Sequence, residues 1–206
     1  MIQSSCIMRS RSGSLTVHFE YTAPMTSTQF AVAPSIINRS YTITADIDVP
    51  QGGANGMLVT QGGWFSGWGL YLKDGKPTFT MDLLDIERPK WQSADALPPG
   101  KHTIVFDWKM DPQGPPLGRG GTGTLSVDGK QAAQRSLPKT QPLIWAWDET
   151  LDVGSDTGTP VDDKDYQVPF AFTGKLGKIT VELGESTVSP EIIKRMMEEL
   201  SQKKDD

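Results

Sequence analysis

The chain has 206 residues, of which 36% are hydrophobic, and carries a formal net charge of −5 with a sequence pI of about 5.1. This length suits one sizeable domain, and its 21 Gly and 15 Pro favour an all-β protein with many turns over a helical one. The sequence has no basic stripe, so we expect no nucleic-acid partner. It also has no apolar run of about 18 residues, so we expect no membrane span.

Residues 1–13 lack the continuous apolar segment of a signal peptide. We interpret them as a disordered lead-in and, taking the sequence as it stands, expect a cytoplasmic protein. The single cysteine, Cys6, cannot form an intramolecular disulfide. It therefore gives no mark of an oxidising compartment, and secretion stays open.

Alternation of apolar and polar residues predicts about ten strands along the chain. The clearest runs are 15–21, 41–49, 57–60, 67–73, 76–82, 102–110, 122–127, 130–135, 143–153 and 176–183. A pattern of many short strands with Gly- and Pro-rich turns and no early helix is typical of a sandwich. We predict that 14–187 is a two-sheet antiparallel β-sandwich with jelly-roll or concanavalin-like topology.

The stretch 62–84 predicts one β-hairpin over a core. Asp74-Gly75 separates two alternating runs, and this dipeptide favours a two-residue type I′ turn that fixes the register. The residues of one face are then all apolar: Trp68, Leu70, Leu72, Pro77, Phe79 and Met81. Those of the other are Gly67, Gly69, Tyr71, Thr78, Thr80 and Asp82. We expect the first face to be buried, whereas the second is mostly polar and is either an open groove or a filled one.

Residues 188–206 predict a short amphipathic helix with a charged tail. Ser189 can cap the helix, Pro190 suits its first position and Glu191 its first turn. An apolar stripe at helical spacing follows. Two interpretations stay open: the helix packs on its own sandwich, or it pairs with a second subunit. A homo-oligomer through this helix or a sheet edge is therefore one predicted partner arrangement.

Several phrases of the sequence follow one another in a specific order. They are 33–45, 61–77, 97–102, 118–130 and 148–161. Together they resemble the C-terminal β-sandwich region of large bacterial arylsulfatases, over residues 30–184. The end of the chain, 172–181 with 189–192, is similar to the close of laminin-G-like, concanavalin-like sandwiches, in which a short helix follows the last strand.

The resemblance implies an accessory domain and not a sulfatase. Sulfatases convert the first residue of a Cys/Ser-x-Pro-x-Arg motif into their nucleophile. Cys6 is followed by Ile7, Met8, Arg9 and Ser10, so both the Pro and the Arg are missing from their places. The α/β domain that holds the metal in that family is also absent from this sequence. We therefore expect no catalytic residue.

Aromatic residues in predicted loops are the candidates for binding a ligand. Such side chains form platforms on which sugars or aryl groups stack, while nearby polar groups supply hydrogen bonds. The proposed ligand-binding residues are Trp64, Phe65, Tyr71, Asp82, Arg88, Trp91 and Trp145. Glycines 67 and 69 are expected to leave room for the ligand. The alternative is that these aromatics fill gaps between loops.

An acidic, Gly-rich loop suggests a calcium site. Asp152, Asp156 and Asp163 are its candidate ligands, because carboxylates on a flexible loop suit Ca²⁺. The spacing departs from the EF-hand pattern, and the acidic pair usual in laminin-G-like domains is replaced by Gly177-Lys178. An Asx-rich turn is the alternative, and we expect no other cofactor.

Three functions of different classes remain open at this stage. The first is a non-catalytic module that binds carbohydrate or an aryl-type small molecule, and the second is a structural or oligomerisation domain. The third is a glycoside hydrolase that uses Asp85 and Glu87, which would share a face if they lay on one strand. The two histidines, His18 and His102, have no partner pattern that indicates catalysis.

Overall fold

The computed structural model of the chain describes residues 4–11, 14–29, 32–142, 149–189, 191–192 and 194. These residues form thirteen strands in two antiparallel sheets, which confirms the predicted all-β sandwich. The strands are β1 (Ser4–Arg11), β2 (Ser14–Tyr21), β3 (Met25–Thr28), β4 (Arg39–Val49), β5 (Gly56–Gly63), β6 (Ser66–Lys73), β7 (Lys76–Leu83), β8 (Lys90–Gln92), β9 (Gly100–Met110), β10 (Arg119–Val127), β11 (Lys130–Lys139), β12 (Leu151–Val153) and β13 (Lys175–Ser186).

The two sheets differ in size and in how their strands are ordered. The larger sheet has seven strands in the order β1-β2-β13-β4-β9-β10-β11, and the smaller has six in the order β3-β12-β5-β6-β7-β8. The last strand lies between β2 and β4, which brings the two ends of the sandwich sequence together in one sheet. In the described part of the chain, no helix is long and apolar enough to cross a bilayer.

The predicted hairpin register of β6 and β7 is confirmed pair by pair. Lys73 faces Lys76 next to the turn, and Trp68 faces Met81 at the far end. Both turn residues have positive φ, 53° at Asp74 and 75° at the following glycine, as a type I′ turn requires. A second Asp-Gly turn joins β10 to β11 in the same way.

An aromatic cluster occupies the centre of the core between the sheets. The rings of Phe79 in β7 and Phe106 in β9 stack with their centroids 3.5 Å apart. Trp91 packs edge-on against Phe106 at 5.2 Å and against Trp108 at 6.3 Å. Such ring pairs add about 0.5–1.5 kcal/mol each beyond the burial of their area. The core position predicted for Trp108 is confirmed, and this cluster fixes the two sheets against each other.

Three of the observed strands lie where the sequence analysis gave none. Strands β3 and β8 have four and three residues, which is too short for an alternation of period two to be recognised. Strand β1 lies within 1–13, where we expected a disordered lead-in, and its backbone pairs antiparallel with β2.

Two predicted elements fall largely outside the described residues. Of the strand predicted at 143–153, residues 143–148 are not described, and β12 forms its last part. Most of the predicted helix at 188–206 is not described either. Ile192 N donates to Ser189 Oγ at 3.4 Å, which is the predicted cap contact. The helix and any pairing of subunits through it stay predictions.

Candidate ligand site at one end of the sandwich

The outer face of the β6–β7 hairpin, which carries two of the predicted ligand residues, is buried. Tyr71 and Asp82 each have 0% of their surface exposed. A covering loop, residues 154–172, is hydrogen-bonded to itself and to β5 through its backbone. Its Tyr166 forms an apolar cluster with Met57 and Tyr71. The polar face is therefore filled and not an open groove, because a later segment of the chain lies on it.

The glycines of this face make room for protein atoms. A Cβ placed at Gly69 would lie 3.1 Å from the Cε of Met57, which occupies the space predicted for a ligand. A Cβ at Gly67 would lie 2.7 Å from the backbone nitrogen of Gly63 in the neighbouring strand. Both positions therefore allow close packing inside the domain.

Arg88 brings predicted site residues together as an ion-pair network. Its guanidinium lies 3.3 Å from Asp82, 2.7 Å from Asp85 and 3.1 Å from Asp163 of the covering loop. Burial raises the pKa of Asp82, and the contacts with Arg88 and the Asp85 backbone oppose that rise. Burial alone would lower the pKa of Arg88, but its carboxylate neighbours raise it. The network thus joins the covering loop to the hairpin.

Lys90 forms a second connection between the hairpin side and the covering loop. Its ammonium lies 2.9 Å from Asp162 and 2.6 Å from Asp165. The hydroxyl of Tyr71 donates to the same Asp165 oxygen at 2.5 Å. Two further acidic residues of the loop that suggested calcium therefore pair with a lysine.

The carboxylates predicted to bind calcium accept hydrogen bonds from the protein. Asp152 accepts from the backbone of Thr157 at 2.9 Å, and Asp156 from the hydroxyl of Tyr166 at 2.6 Å. Asp163 is held by the arginine network. Burial raises the pKa of Asp156 to about 6. No group of three or more metal-ligating side chains forms among the residues that the structure describes.

The predicted aromatic platform is brought together in part. Trp64 and Phe65 form the turn between β5 and β6 and are 48% and 67% exposed. Trp91 lies in the three-residue strand β8 beside loops, but it is 1% exposed and belongs to the core. Trp145 lies outside the described residues. Two of the four predicted aromatics are therefore accessible at the surface and adjacent.

The turn that carries these two aromatics is held by the neighbouring loop. The backbone nitrogen of Trp64 donates to the hydroxyl of Thr159 at 3.1 Å. That hydroxyl donates to Glu149 at 2.5 Å. A Cβ at Gly63 would collide with Thr159, so the close fit depends on a glycine. The exposed rings therefore stand on a fixed backbone.

A small cavity of about 40 Å³ lies beside this turn, between the two sheets. Among the residues that the structure describes, none closes it off completely, so it is partly open to solvent. Trp68, Met81 and Leu83 form its wall from the smaller sheet, and Trp108 and Met110 form the opposite wall. The cavity has room for about three water-sized atoms. It is too small for a sugar ring but large enough for a small substituent.

Three residues that line this cavity each carry an unpaired polar atom. Arg39 Nε, Tyr41 Oη and Gln61 Nε2 are buried and have no hydrogen-bond partner within the described part of the chain. Buried polar atoms in folded proteins almost always have a partner, and leaving one unpaired costs about 1–3 kcal/mol. All three atoms carry a proton that they can donate. The cavity is thus rich in donors.

The surrounding hydrogen bonds fix the direction of the Gln61 amide. Its oxygen accepts from the indole nitrogen of Trp68 at 3.2 Å, so its nitrogen is the atom left without a partner. The amide of Asn38, in the same wall, accepts from Gly118 at 2.8 Å and donates to Pro142 at 2.9 Å. The network therefore sets which amide atom each side chain presents.

Arg39 provides the charge of the cavity. Its Nη1 donates to the carbonyl of Gly184 at 3.4 Å, and it has no carboxylate within ion-pair distance among the described residues. None of the described residues lining the cavity is acidic. Burial lowers the pKa of Arg39 and raises that of Tyr41 well above its usual value. Tyr41 is therefore a neutral hydroxyl that can donate.

Exposed apolar side chains lie in loops close in sequence to residues that line the cavity. The large hydrophobic residues that are exposed in the described part of the chain are Val32, Trp64, Phe65, Leu84 and Ile86. They belong to the segment before β4 and to the β5–β6 and β7–β8 loops, which all lie at this end of the sandwich. An exposed apolar patch beside polar groups is typical of a binding site.

The carboxylate pair and the histidines lie in other surroundings. Asp85 and Glu87 are exposed in the β7–β8 turn and not on one strand face, and Asp85 has φ of 57°. His18 contacts the carboxylates of its own sheet. His102 is bonded to Asp128 at 2.7 Å and to a backbone carbonyl. These contacts fix the side chains in place within the sheet and its turns.

No sequence pattern indicated the three residues that line the cavity and carry unpaired donors. Tyr41 fits the apolar alternation of β4 and was assigned to the core, where it is indeed buried. Arg39 begins β4 and Gln61 lies inside β5, and neither is in a pattern that indicates a binding role. Whether a side chain finds a hydrogen-bond partner depends on the packing of distant segments, so no local pattern reports it.

No protein-family model and no curated protein matches the sequence. The chain is similar in structure to the Ruminococcus gnavus IT-sialidase CBM40 bound to α2,3-sialyllactose, with a TM-score of 0.54 and 13% identity over 79% of this chain and 89% of that one. The same module bound to α2,6-sialyllactose gives a TM-score of 0.50 and 12% identity over 79% of this chain and 90% of that one.

Domains LG4-5 of the mouse laminin α1 chain also match, with a TM-score of 0.49 and 14% identity over 82% of this chain and 42% of that one. At identities this low, likeness in structure establishes the fold. The Ruminococcus gnavus comparisons confirm the concanavalin-like part of the predicted resemblance, while the arylsulfatase part stays a prediction from the sequence. The chain has a concanavalin-like, jelly-roll β-sandwich fold.

Proposed function

We propose that this domain is a non-catalytic module that binds carbohydrate at the end of the sandwich around Trp64 and Phe65. The observation that carries the proposal is the combination of exposed aromatic rings with buried, unpaired donors in the adjacent cavity. A sugar presents apolar ring faces and many hydrogen-bonding groups, and this site offers a complementary surface for both.

The fixed backbone of the β5–β6 turn supports the proposal. Because Thr159 holds the nitrogen of Trp64, the turn loses little freedom when a ligand binds. Ordering a mobile loop would subtract from the affinity, so a preorganised platform binds more tightly for the same contacts. The aromatic rings supply contact area, and hydrogen bonds in the cavity orient the ligand.

The comparison with the Ruminococcus gnavus module supports carbohydrate as the ligand class, since that module is bound to sialyllactose. The resemblance of the sequence to arylsulfatase C-terminal regions extends the proposal. It suggests that the module accompanies enzymes of that kind and that an aryl-type small molecule is worth including among the ligands tested.

Titration with a panel of glycans and sulfated aryl compounds, followed by tryptophan fluorescence and calorimetry, tests the proposal. We expect at least one glycan to bind, and we expect Trp64→Ala and Phe65→Ala each to weaken that binding by about tenfold, since stacking contacts are worth about 1–1.5 kcal/mol. Lys130→Ala, an exposed change at the opposite end, is the control and should leave the affinity unchanged. A complete absence of binding across the panel contradicts the proposal.

A further inference from the structure

We infer that the end cavity receives an anionic substituent, a carboxylate or a sulfate group, of the bound sugar. This inference rests on the proposed carbohydrate-binding function and specifies its ligand class. The three unpaired atoms around the cavity are all donors, and one of them belongs to a cation. Residues that offer three unpaired donors, one of them cationic, and no acidic side chain are complementary to a group made of acceptors.

The arginine supplies the charge preference. Guanidinium groups match carboxylate and sulfate oxygens in shape as well as charge, and such bonds are about twice as strong as neutral ones. The carboxylates of this region are engaged elsewhere: Glu149 accepts from Thr159, and Asp85 pairs with Arg88. Arg39 therefore faces the cavity without an acidic neighbour in its described lining.

The size of the cavity agrees with this ligand class. A volume of about 40 Å³ holds about three water-sized atoms, and a carboxylate has three heavy atoms. The sugar ring itself would remain outside, against the exposed rings of Trp64 and Phe65. The substituent and the ring thus occupy two adjacent parts of one site.

Three ligands with the same core test the inference: lactose, sialyllactose, which adds a carboxylate, and lactose 3-sulfate. We expect one or both acidic forms to bind at least about tenfold more tightly than lactose, because a hydrogen bond to a charged group contributes about 1.5–3 kcal/mol. The ratio of the affinities of the acidic ligands to that of lactose should fall as the salt concentration rises, because salt screens charge interactions. Comparing sialyllactose with lactose 3-sulfate shows which anion the cavity binds.

Two variants locate the preference. Arg39→Gln should bring the acidic ligands to within about threefold of lactose, since it removes a contact of about 1.5 kcal/mol or more with the anion. Tyr41→Phe should weaken the acidic ligands by a smaller factor without lowering the unfolding temperature, because its hydroxyl has no partner in the free protein. This second variant keeps the test usable if Arg39→Gln does not fold.

The outcomes separate the inference from the function on which it rests. If none of the three ligands nor any other glycan binds, the proposed function fails. If lactose binds as tightly as both acidic forms, the function stands and the inference is overturned. An acidic preference that survives unchanged in both variants also overturns it, because the anion would then be held elsewhere.

Discussion

The two faces of the β6–β7 hairpin are both buried, but by different chemistry. The inner face presents apolar residues such as Leu70 and Phe79 to the larger sheet. The outer face carries Tyr71 and Asp82 and is covered by the loop at 154–172. The inner face is held by apolar packing, whereas the outer face is held by ion pairs and hydrogen bonds around a small aromatic cluster.

This difference has consequences for how each face responds to change. Apolar packing loses stability in proportion to the volume removed and hardly depends on pH or salt. A buried ion pair contributes little in total, because desolvation offsets attraction, yet removing one partner leaves an unpaired charge and costs a great deal. The outer face should therefore be the part of the domain that is sensitive to charge and pH.

The largest effect should come from the inner face. Phe106→Ala removes a ring that stacks on Phe79 and contacts Trp91, and we expect it to lower the free energy of unfolding by about 3–5 kcal/mol. Urea denaturation measures this. Phe65→Ala, the same change at an exposed turn, should stay within about 0.5 kcal/mol of wild type. Equal losses in both variants would contradict the assigned core.

On the outer face, Arg88→Met should cost about 3 kcal/mol, because it leaves the buried carboxylate of Asp82 without its cation. Adding Asp82→Asn to this variant should restore part of the loss, which a double-mutant cycle in urea measures. Arg135→Met, at an exposed arginine, is the matched control and should change little. If Arg88→Met behaved like Arg135→Met, the network would not hold the covering loop.

Asp156 should make the outer face depend on pH. Burial raises its pKa in the folded protein to about 6, above the value of an unfolded aspartate. The folded protein favours the protonated carboxyl. The stability from that preference is fully present below the pKa of the unfolded chain and is lost as pH rises through the pKa of the folded protein. Between about pH 4 and about pH 7, the free energy of unfolding of Asp156→Asn should rise by up to about 3 kcal/mol relative to that of the wild type.

Unfolding curves at several pH values measure the effect of Asp156. Asp95→Asn, at an exposed position, is the control and should follow the wild type across the same range. A constant difference between Asp156→Asn and the wild type would show that the carboxylate does not titrate in this range.

The smallest expected effect on stability is the difference between two tyrosine-to-phenylalanine variants. Tyr71→Phe removes the hydroxyl that donates to Asp165, and we expect a loss of about 1 kcal/mol in the free energy of unfolding. Tyr41→Phe removes a hydroxyl that has no partner in the described residues and should be neutral or stabilising. Thermal unfolding of the two variants measured side by side decides this. A larger loss of stability in Tyr41→Phe than in Tyr71→Phe would contradict the hydrogen bonding assigned to both hydroxyls.

The sequence allowed much of the fold to be predicted but little of the candidate site. Period-two alternation and the Asp74-Gly75 turn depend on neighbouring residues, so the register and the inner face could be predicted in full. The exposure of Trp64 and Phe65 followed from their place in a turn. The role of Trp91 could not be read, since its three-residue strand is too short to show a pattern.

Local pattern by itself determined which residues of the hairpin turn to the same side and that one side must be apolar. Tertiary structure decided what each side meets. Polar residues such as Asp82 can be buried if a distant segment supplies partners, and residues such as Arg39 can be left unpaired if none does. Both outcomes depend on contacts between segments far apart in the chain, because hydrogen bonding and desolvation act through space and not along the sequence.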